Sequence, residues 1–457
     1  MSDNTTARWR YRLAGALVAL GLVAAACGNS GSGDDDASGR EEPSESSDAS
    51  GGGSGGSRVP GVTEDEIRFA AFGTNSNNPL GTCNLDCYVE GIEAYFAFRN
   101  SEGGVHGREL VLTTQLDDEL ARNQERALEI VSANDVFAAF SATQVASGWH
   151  EVADAGIPLY VWGIHAAEMN GQEGIFANWG ARCQTCTSRS LPYAGTLVDA
   201  SRVAVLGYGV SEASKDCVTA NADSIEMYAD ETGQELVYTN DELAFGLPNG
   251  IAPEVTAMRD AGVDFIGTCM DLNGMKTLAQ ELERQGMGDV PMLHPNTYDQ
   301  AFVEEAGDLF EGDLVQVAFR PFEADPGDSA LADYFEWMEE TGSEPTEIAM
   351  VGWINADLAY QGILAAGEDF TRESVIEATN QMTEYTAGGL INPVDWTRQH
   401  EPPTEDDPAT HGYAQECYAY VQVHDGRFEV VGDESAPWYC WDGSTREWGE
   451  PEPTNFE

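Results

Sequence analysis

Lysine is almost missing. The 457-residue chain has two, Lys215 and Lys276, and its 22 basic residues stand against 79 acidic ones, for a formal net charge of −57. A nucleic-acid surface needs clustered lysine and arginine on phosphates, so that partner class is excluded. Charge of one sign at this density repels itself and is relieved by salt, so a halophilic or salt-tolerant source is expected. Long apolar runs are missing too. The run near the start, Leu13 to Ala26, has 14 residues, fewer than the roughly 20 that span a bilayer. There is no H-E-x-x-H motif. GGSGG in the stretch 52–56 matches a nucleophile elbow in letters only, because no strand precedes it and no helix follows.

What is present begins with a leader. Arg8, Arg10 and Arg12 precede the short apolar run, and Cys27 ends it, the layout of a secretory signal. LVAAAC resembles a bacterial lipobox, with Ala24 where leucine is usual; the resemblance implies lipidation of Cys27 and anchoring to the outer face of the cell membrane. Cleavage at an ordinary small-residue site is the alternative. Residues 28–58 are Gly/Ser-rich and acidic, and such sequence cannot bury enough apolar surface to fold. It is expected to be a flexible tether. Eight cysteines remain, in a compartment where disulfides persist. Locality favours Cys83–Cys87, Cys183–Cys186, Cys217–Cys269 and Cys417–Cys440, although the two close pairs can also exchange partners. A four-cysteine zinc site from Cys83, Cys87, Cys183 and Cys186 is a weaker alternative; no metal and no cofactor are expected.

From Ile67 onward short apolar runs alternate with helical patterns. IRFAAF (67–72), ELVLTTQ (109–115), Val136 to Phe140 and IPLYVW (157–162) read as strands, with helices over 86–100, 120–132 and 144–155. The alternation restarts at RVAVLGYG (202–209) and runs through VDFIGTC (263–269) and VPMLH (290–294). Repeated β-α-β-α with apolar strands means parallel sheets covered on both faces. The fold class is therefore α/β, with two doubly wound lobes. After Pro321 the pattern is mostly helical (329–341, 346–366, 371–382). It closes on CYAYVQVHDGRFEVVG, a hairpin whose Asp425-Gly426 is the turn. Ligands of such sheets sit beyond the carboxyl ends of strands, here Gly73–Cys83, Ser141–Thr143, Gly163–His165, Tyr208–Ser211, Met270–Asn273 and Asn296–Tyr298.

The blocks EGIEAYFAFRNSEGGVHGRELVLTTQLDDE (90–119), FSATQVASGWHEVADAGIPLYVWGIHAAEM (140–169), VDFIGTCMDLNGMKTLAQELERQGM (263–287) and VEEAGDLFEGDLVQ (303–316), in this order, resemble one family. It is the solute-binding proteins of ABC transporters of the branched-chain amino acid type, the Leu/Ile/Val-binding class of the type I periplasmic binding fold. The resemblance covers residue 63 to about 366. It implies lobes joined by a three-crossover hinge, an N-lobe of 59–178 plus about 318–385 and a C-lobe of 179–317 plus about 386–457. It implies a monomer that closes on a small solute, amino acid-like or a related carboxylate or amide, and hands it to a membrane permease without catalysis. A ligand-sensing ectodomain of the same fold is the alternative. An exported α/β enzyme is a further one, though no nucleophile or metal constellation stands at a strand end.

The resemblance also assigns the pocket. Ser141 and Thr143 match the family's hydroxyl cluster for the solute carboxylate; by the residues alone they equally suit a helix cap. Ile164 and His165 stand where the family offers a backbone carbonyl and a small hydroxyl, with histidine as the departure. Tyr208 aligns with an aromatic-bearing loop. Asp271 can pair with an ammonium group or simply cap the next helix, and Tyr298 is a further candidate. Asn84 and Asn77 are candidates by position only. GYGVSE (207–212) fails as a dinucleotide loop because Glu212 occupies the third glycine position and repels a pyrophosphate.

Overall fold

The structure, a computed structural model, describes residues 59–78, 82–178, 180, 183, 185–294, 298–401, 413 and 415–456. The leader, Cys27, the tether and Asn296 lie outside the described residues. The first half runs β1 (Glu66–Gly73), α1 (Leu85–Ser101), β2 (Glu109–Asp117), α2 (Asn123–Ala133), β3 (Ala138–Ala142), α3 (Trp149–Asp154), β4 (Leu159–Val161), α4 (Ala166–Met169) and β5 (Ile175–Ala177). The second runs α5 (Ser190–Leu197), β6 (Arg202–Tyr208), α6 (Glu212–Met227), α7 (Ala229–Thr232), β7 (Glu235–Leu243), α8 (Ala252–Ala261), β8 (Phe265–Cys269), α9 (Leu272–Arg284), β9 (Met292–His294), α10 (Gln300–Ala306) and β10 (Leu314–Val317). Then come α11 (Leu331–Thr341), α12 (Glu347–Ala366), α13 (Arg372–Thr379) and four strands, β11 (Gln415–His424), β12 (Arg427–Val430), β13 (Trp438–Asp442) and β14 (Glu452–Thr454).

The strands form two sheets with the same internal order. The first is β2-β1-β3-β4-β5, and the second carries β7-β6-β8-β9-β10 as its parallel part. Fully buried strands such as β3 and β8 explain why their sequences read as unbroken apolar runs. The order reverses between β1 and β3 in one sheet and between β6 and β8 in the other, the two switch points where open sheets leave a crevice. The chain crosses from the first sheet to the second after β5, returns after β10 to place α11 and α12 on α1, and crosses again between His400 and Gln415.

Two expectations change, and a third is extended. The helix read over 144–155 begins only at Trp149, behind Gly148, and nothing caps it by a side chain; Val145 is half-exposed at 51% rather than on a buried helical face. The C-terminal hairpin does form, with Val423 opposite Phe428 and Asp425 and Gly426 both at positive φ. It builds onto the second sheet: β11 joins β10 antiparallel, and β13 and β14 extend the sheet further. The stretch after 386, expected in the second lobe, stays with the first sheet as far as His400. Leu390, Val394 and Trp396 need burial and find it there, Trp396 edge-on to Phe176 at 5.2 Å, while Gly171 donates to the His400 carbonyl at 2.7 Å.

Candidate functional site

A cleft of about 1370 Å³ opens at the carboxyl ends of both sheets. The first sheet lines it through the loops after β1 (Thr82 to Asn84), β3 (Gln144 to Ala146) and β4 (Trp162 to His165). The second lines it after β6 (Tyr208 and Val210 to Glu212), at Phe245 beyond β7, after β8 (Met270 to Leu272) and after β9 (Tyr298 to Ala301). The antiparallel extension closes one end with Gln415 to Tyr418, Phe428 and Trp438. Thus β11 to β13 are part of the wall.

Ile164, His165, Tyr208, Asp271 and Tyr298 all line the cleft. His165 is half-buried; burial lowers its pKa, and its Nε2 lies 3.4 Å from the Thr143 carbonyl. Asp271 does cap α9, accepting from the Gly274 N–H at 3.2 Å, and the same oxygen accepts the Tyr208 hydroxyl. Capping and site-lining are therefore one role here. Burial, the bond to Asp271 and its charge push the Tyr208 hydroxyl pKa up. Tyr298 donates its hydroxyl to the Glu323 carboxylate and accepts from the Phe322 N–H at 2.7 Å, with the Phe322 and Phe428 rings each 5.0 Å away.

Ser141 and Thr143 are brought to the cleft's edge but not into it. Ser141 is inside β3 and 3% exposed, and Thr143 is equally buried. The Thr143 hydroxyl donates to buried Asp118 at 2.7 Å, which also accepts from Asn123 Nδ2 and from the Leu120 N–H. With the helix displaced to Trp149, Gln144 to Ala146 occupy the position the clamp was expected to hold. Thr143 instead supports His165 from below. Asn77 is not among the lining residues, and Asn84 is.

The cleft contains no lysine or arginine among its described lining residues, while Glu212, Asp271, Asp299, Glu304, Glu323, Glu344, Glu347 and Glu416 all face it. Sequence reasoning missed Gln144, Glu323, Glu347 and the Phe322 and Phe428 rings that pack on Tyr298. Only Phe428 had a signal, its place in the hairpin. Val145, Val210 and Phe245 are half of the large apolar side chains left exposed among the described residues, and all three stand on the cleft rim.

Among the described residues the disulfides are Cys83–Cys87, Cys183–Cys186, Cys217–Cys269 and Cys417–Cys440, and every cysteine in them but Cys440 lines the cleft. No three His, Cys, Asp or Glu side chains gather as metal ligands among the described residues.

A sequence profile described as periplasmic binding protein matches residues 83–427. No curated protein matches in sequence. The fold is similar to that of a fatty acid ABC transporter substrate-binding protein from Thermomonospora curvata, at 18% identity and TM-score 0.62, covering 85% of this chain and 96% of that one. It is similar to a solute-binding protein from R. palustris in complex with benzoate, at 16% identity and TM-score 0.61, covering 84% and 100%. A branched chain amino acid ABC transporter protein from Thermus thermophilus with bound valine is similar at 18% identity and TM-score 0.59, covering 81% and 97%.

Proposed function

The chain belongs to the periplasmic binding protein family, whose members bind solutes outside the cytoplasm and do no catalysis, and from that premise we propose that it captures an amino acid or a related small carboxylate or amide and delivers it to an ABC importer. The observation that carries this is the distribution of polarity in the cleft. The strand-end loops of the first sheet, Thr82 to His165, contribute no carboxylate to the lining, while Asp271 waits on the opposite sheet. A zwitterion fits such a pair of walls: its acceptor end toward neutral donors, its ammonium toward Asp271. Closure of the lobes about the three crossings would also cover Val145, Val210 and Phe245, apolar side chains with no other reason to face water.

A second reading is favoured by the size of the cleft. About 1370 Å³ is above the usual range of 300–1,000 Å³ for small-molecule sites, roughly stated, and Tyr298, Phe322, Phe428 and Trp438 furnish an apolar end. An aromatic or aliphatic acid would use it, as benzoate and fatty acid binding in the similar folds suggest. Calorimetric titration in high salt against amino acids, their amides, urea, benzoate and medium-chain fatty acids separates the two. The amino acid reading expects binding near micromolar, about −8 kcal/mol, weakened at least about tenfold by Asp271→Asn. Binding of benzoate or fatty acid alone, unchanged by that substitution, would sink it. We place the protein on the outer face of the membrane through Cys27, as a monomer; Cys27→Ser should move it from the membrane fraction to the medium.

A further inference from the structure

We propose that the cleft holds a subsite for a carboxylate or carbonyl oxygen at the N-terminus of α1, built on Asn84 in place of the Ser141–Thr143 clamp. The inference rests on the solute-binding reading above and specifies where the acceptor end of the solute goes. A helix leaves its first backbone N–H groups without intrahelical partners. In α1 the Leu85 N–H is taken by the Thr74 carbonyl at 3.2 Å; among the described residues none receives those of Asp86 and Cys87. Asparagine at an N-cap ordinarily turns its side chain back to accept from that first turn. Asn84 stands at the cap with φ −105° and ψ −85° and makes no such bond.

Its amide is turned elsewhere. Oδ1 accepts from the Thr82 hydroxyl at 2.9 Å, and Nδ2 has no partner although the residue is fully buried, 0% exposed. Buried donors are nearly always paired, so an unpaired one on a cleft wall points at what the cleft receives. The missing cap is replaced covalently. The Cys83–Cys87 disulfide, with 5.7 Å between Cα atoms, closes the first turn of α1, so the helix start is held while Asn84 Nδ2 and two backbone N–H groups stay free. The Asp86 carboxylate, which would oppose an anion here, is turned away to Asn75 Nδ2 at 2.7 Å and Gln115 Nε2 at 2.9 Å.

A second orphan donor stands on the same wall: Gln144 Nε2 has no partner, and Gln144 lines the cleft as Asn84 does. It sits on the loop after β3, next to β1 across the switch point. With no lysine or arginine in the described lining, an acceptor oxygen can be held only by neutral dipoles, and a helix N-terminus with two side-chain amides is such a holder.

The test is calorimetric titration of the full chain with L-leucine, L-valine, benzoate and decanoate, in the wild type and in Asn84→Asp and Asn84→Ala, with melting temperatures alongside. Asn84 makes no cap bond and is fully buried, so a carboxylate there lowers the melting temperature whatever its role, and a purely structural Asn84 leaves the affinity of the folded variant unchanged. The subsite instead predicts affinity of the folded protein lowered about tenfold in Asn84→Ala and about a hundredfold or more in Asn84→Asp. Should either variant fail to fold, Gln144→Glu decides in its place, with the same loss expected. Wild-type binding that persists within about threefold in the folded charged variant overturns the subsite and leaves solute capture standing. No binding of any probe to the wild type overturns the carboxylate reading and the subsite with it.

Discussion

Thr143 shows how a residue type can be right for a chemistry and be used for another. A hydroxyl at a strand's carboxyl end is suited to holding a carboxylate, yet this one finds Asp118 of its own sheet at 2.7 Å. That partner lies 25 residues away in the chain, and no local pattern announces it. Glu168 is a second case. It sits on α4 beside His165 with 2% exposure, and burial pushes its carboxyl from 4.5 up to about 8. Below about pH 4.5 the group is protonated in folded and unfolded chains alike and costs nothing. As pH rises from there to about 8, the unfolded chain loses the proton first, so folded stability falls. Glu168→Gln should therefore melt higher than the wild type at pH 8, by up to about 4 kcal/mol in stability, with the gap closing toward pH 4.5. Parallel melting curves across that range would refute the assignment.

At the scale of elements, α1 and α12 show what composition hides. Both are apolar helices and both carry a glycine, Gly91 and Gly352, where alanine would favour a helix. The pair packs so closely that a Cβ on Gly91 would stand 1.8 Å from the Ala349 carbonyl oxygen, and one on Gly352 2.0 Å from that of Tyr88. Asn355 then bridges α12 to Tyr88 Oη at 2.7 Å and to the Val161 carbonyl at 3.0 Å, tying both helices to β4. Gly91→Ala and Gly352→Ala should each destabilise by about 2 kcal/mol or more in urea unfolding despite their better propensity; a loss under about half of that would mean the helices can part cheaply. The second sheet shows an element legible in its form but not in its neighbours. A hairpin with an Asp-Gly turn was plain in the sequence; that it adds to β10 and walls the cleft depends on which edge was vacant.

For the whole molecule, charge decides behaviour more than any contact. With 79 acidic against 22 basic residues, repulsion opposes the compact state and salt screens it over about 10 Å at 0.1 M, about 3 Å at 1 M. We therefore expect the melting temperature to rise markedly between about 0.1 and about 2 M salt. Equal stability in both would end the halophilic reading. The same excess shapes the cleft, where the described lining offers carboxylates and aromatic rings but no fixed cation.

The alternating apolar runs determined the α/β class, the two parallel sheets and the strand ends at which a ligand must sit, because buried parallel strands and their helices imprint a period on local sequence. The close cysteine spacings were legible for the same reason: loop closure is a local quantity. Tertiary structure alone decided which polar groups stayed free. Thr143 was consumed by Asp118 and one oxygen of Asp271 was engaged by a cap and a tyrosine, while Asn84 Nδ2 and Gln144 Nε2 were left unpaired at the cleft. Hydrogen-bond satisfaction is settled between residues far apart in the chain, and a sequence lists donors and acceptors without saying which of them will meet.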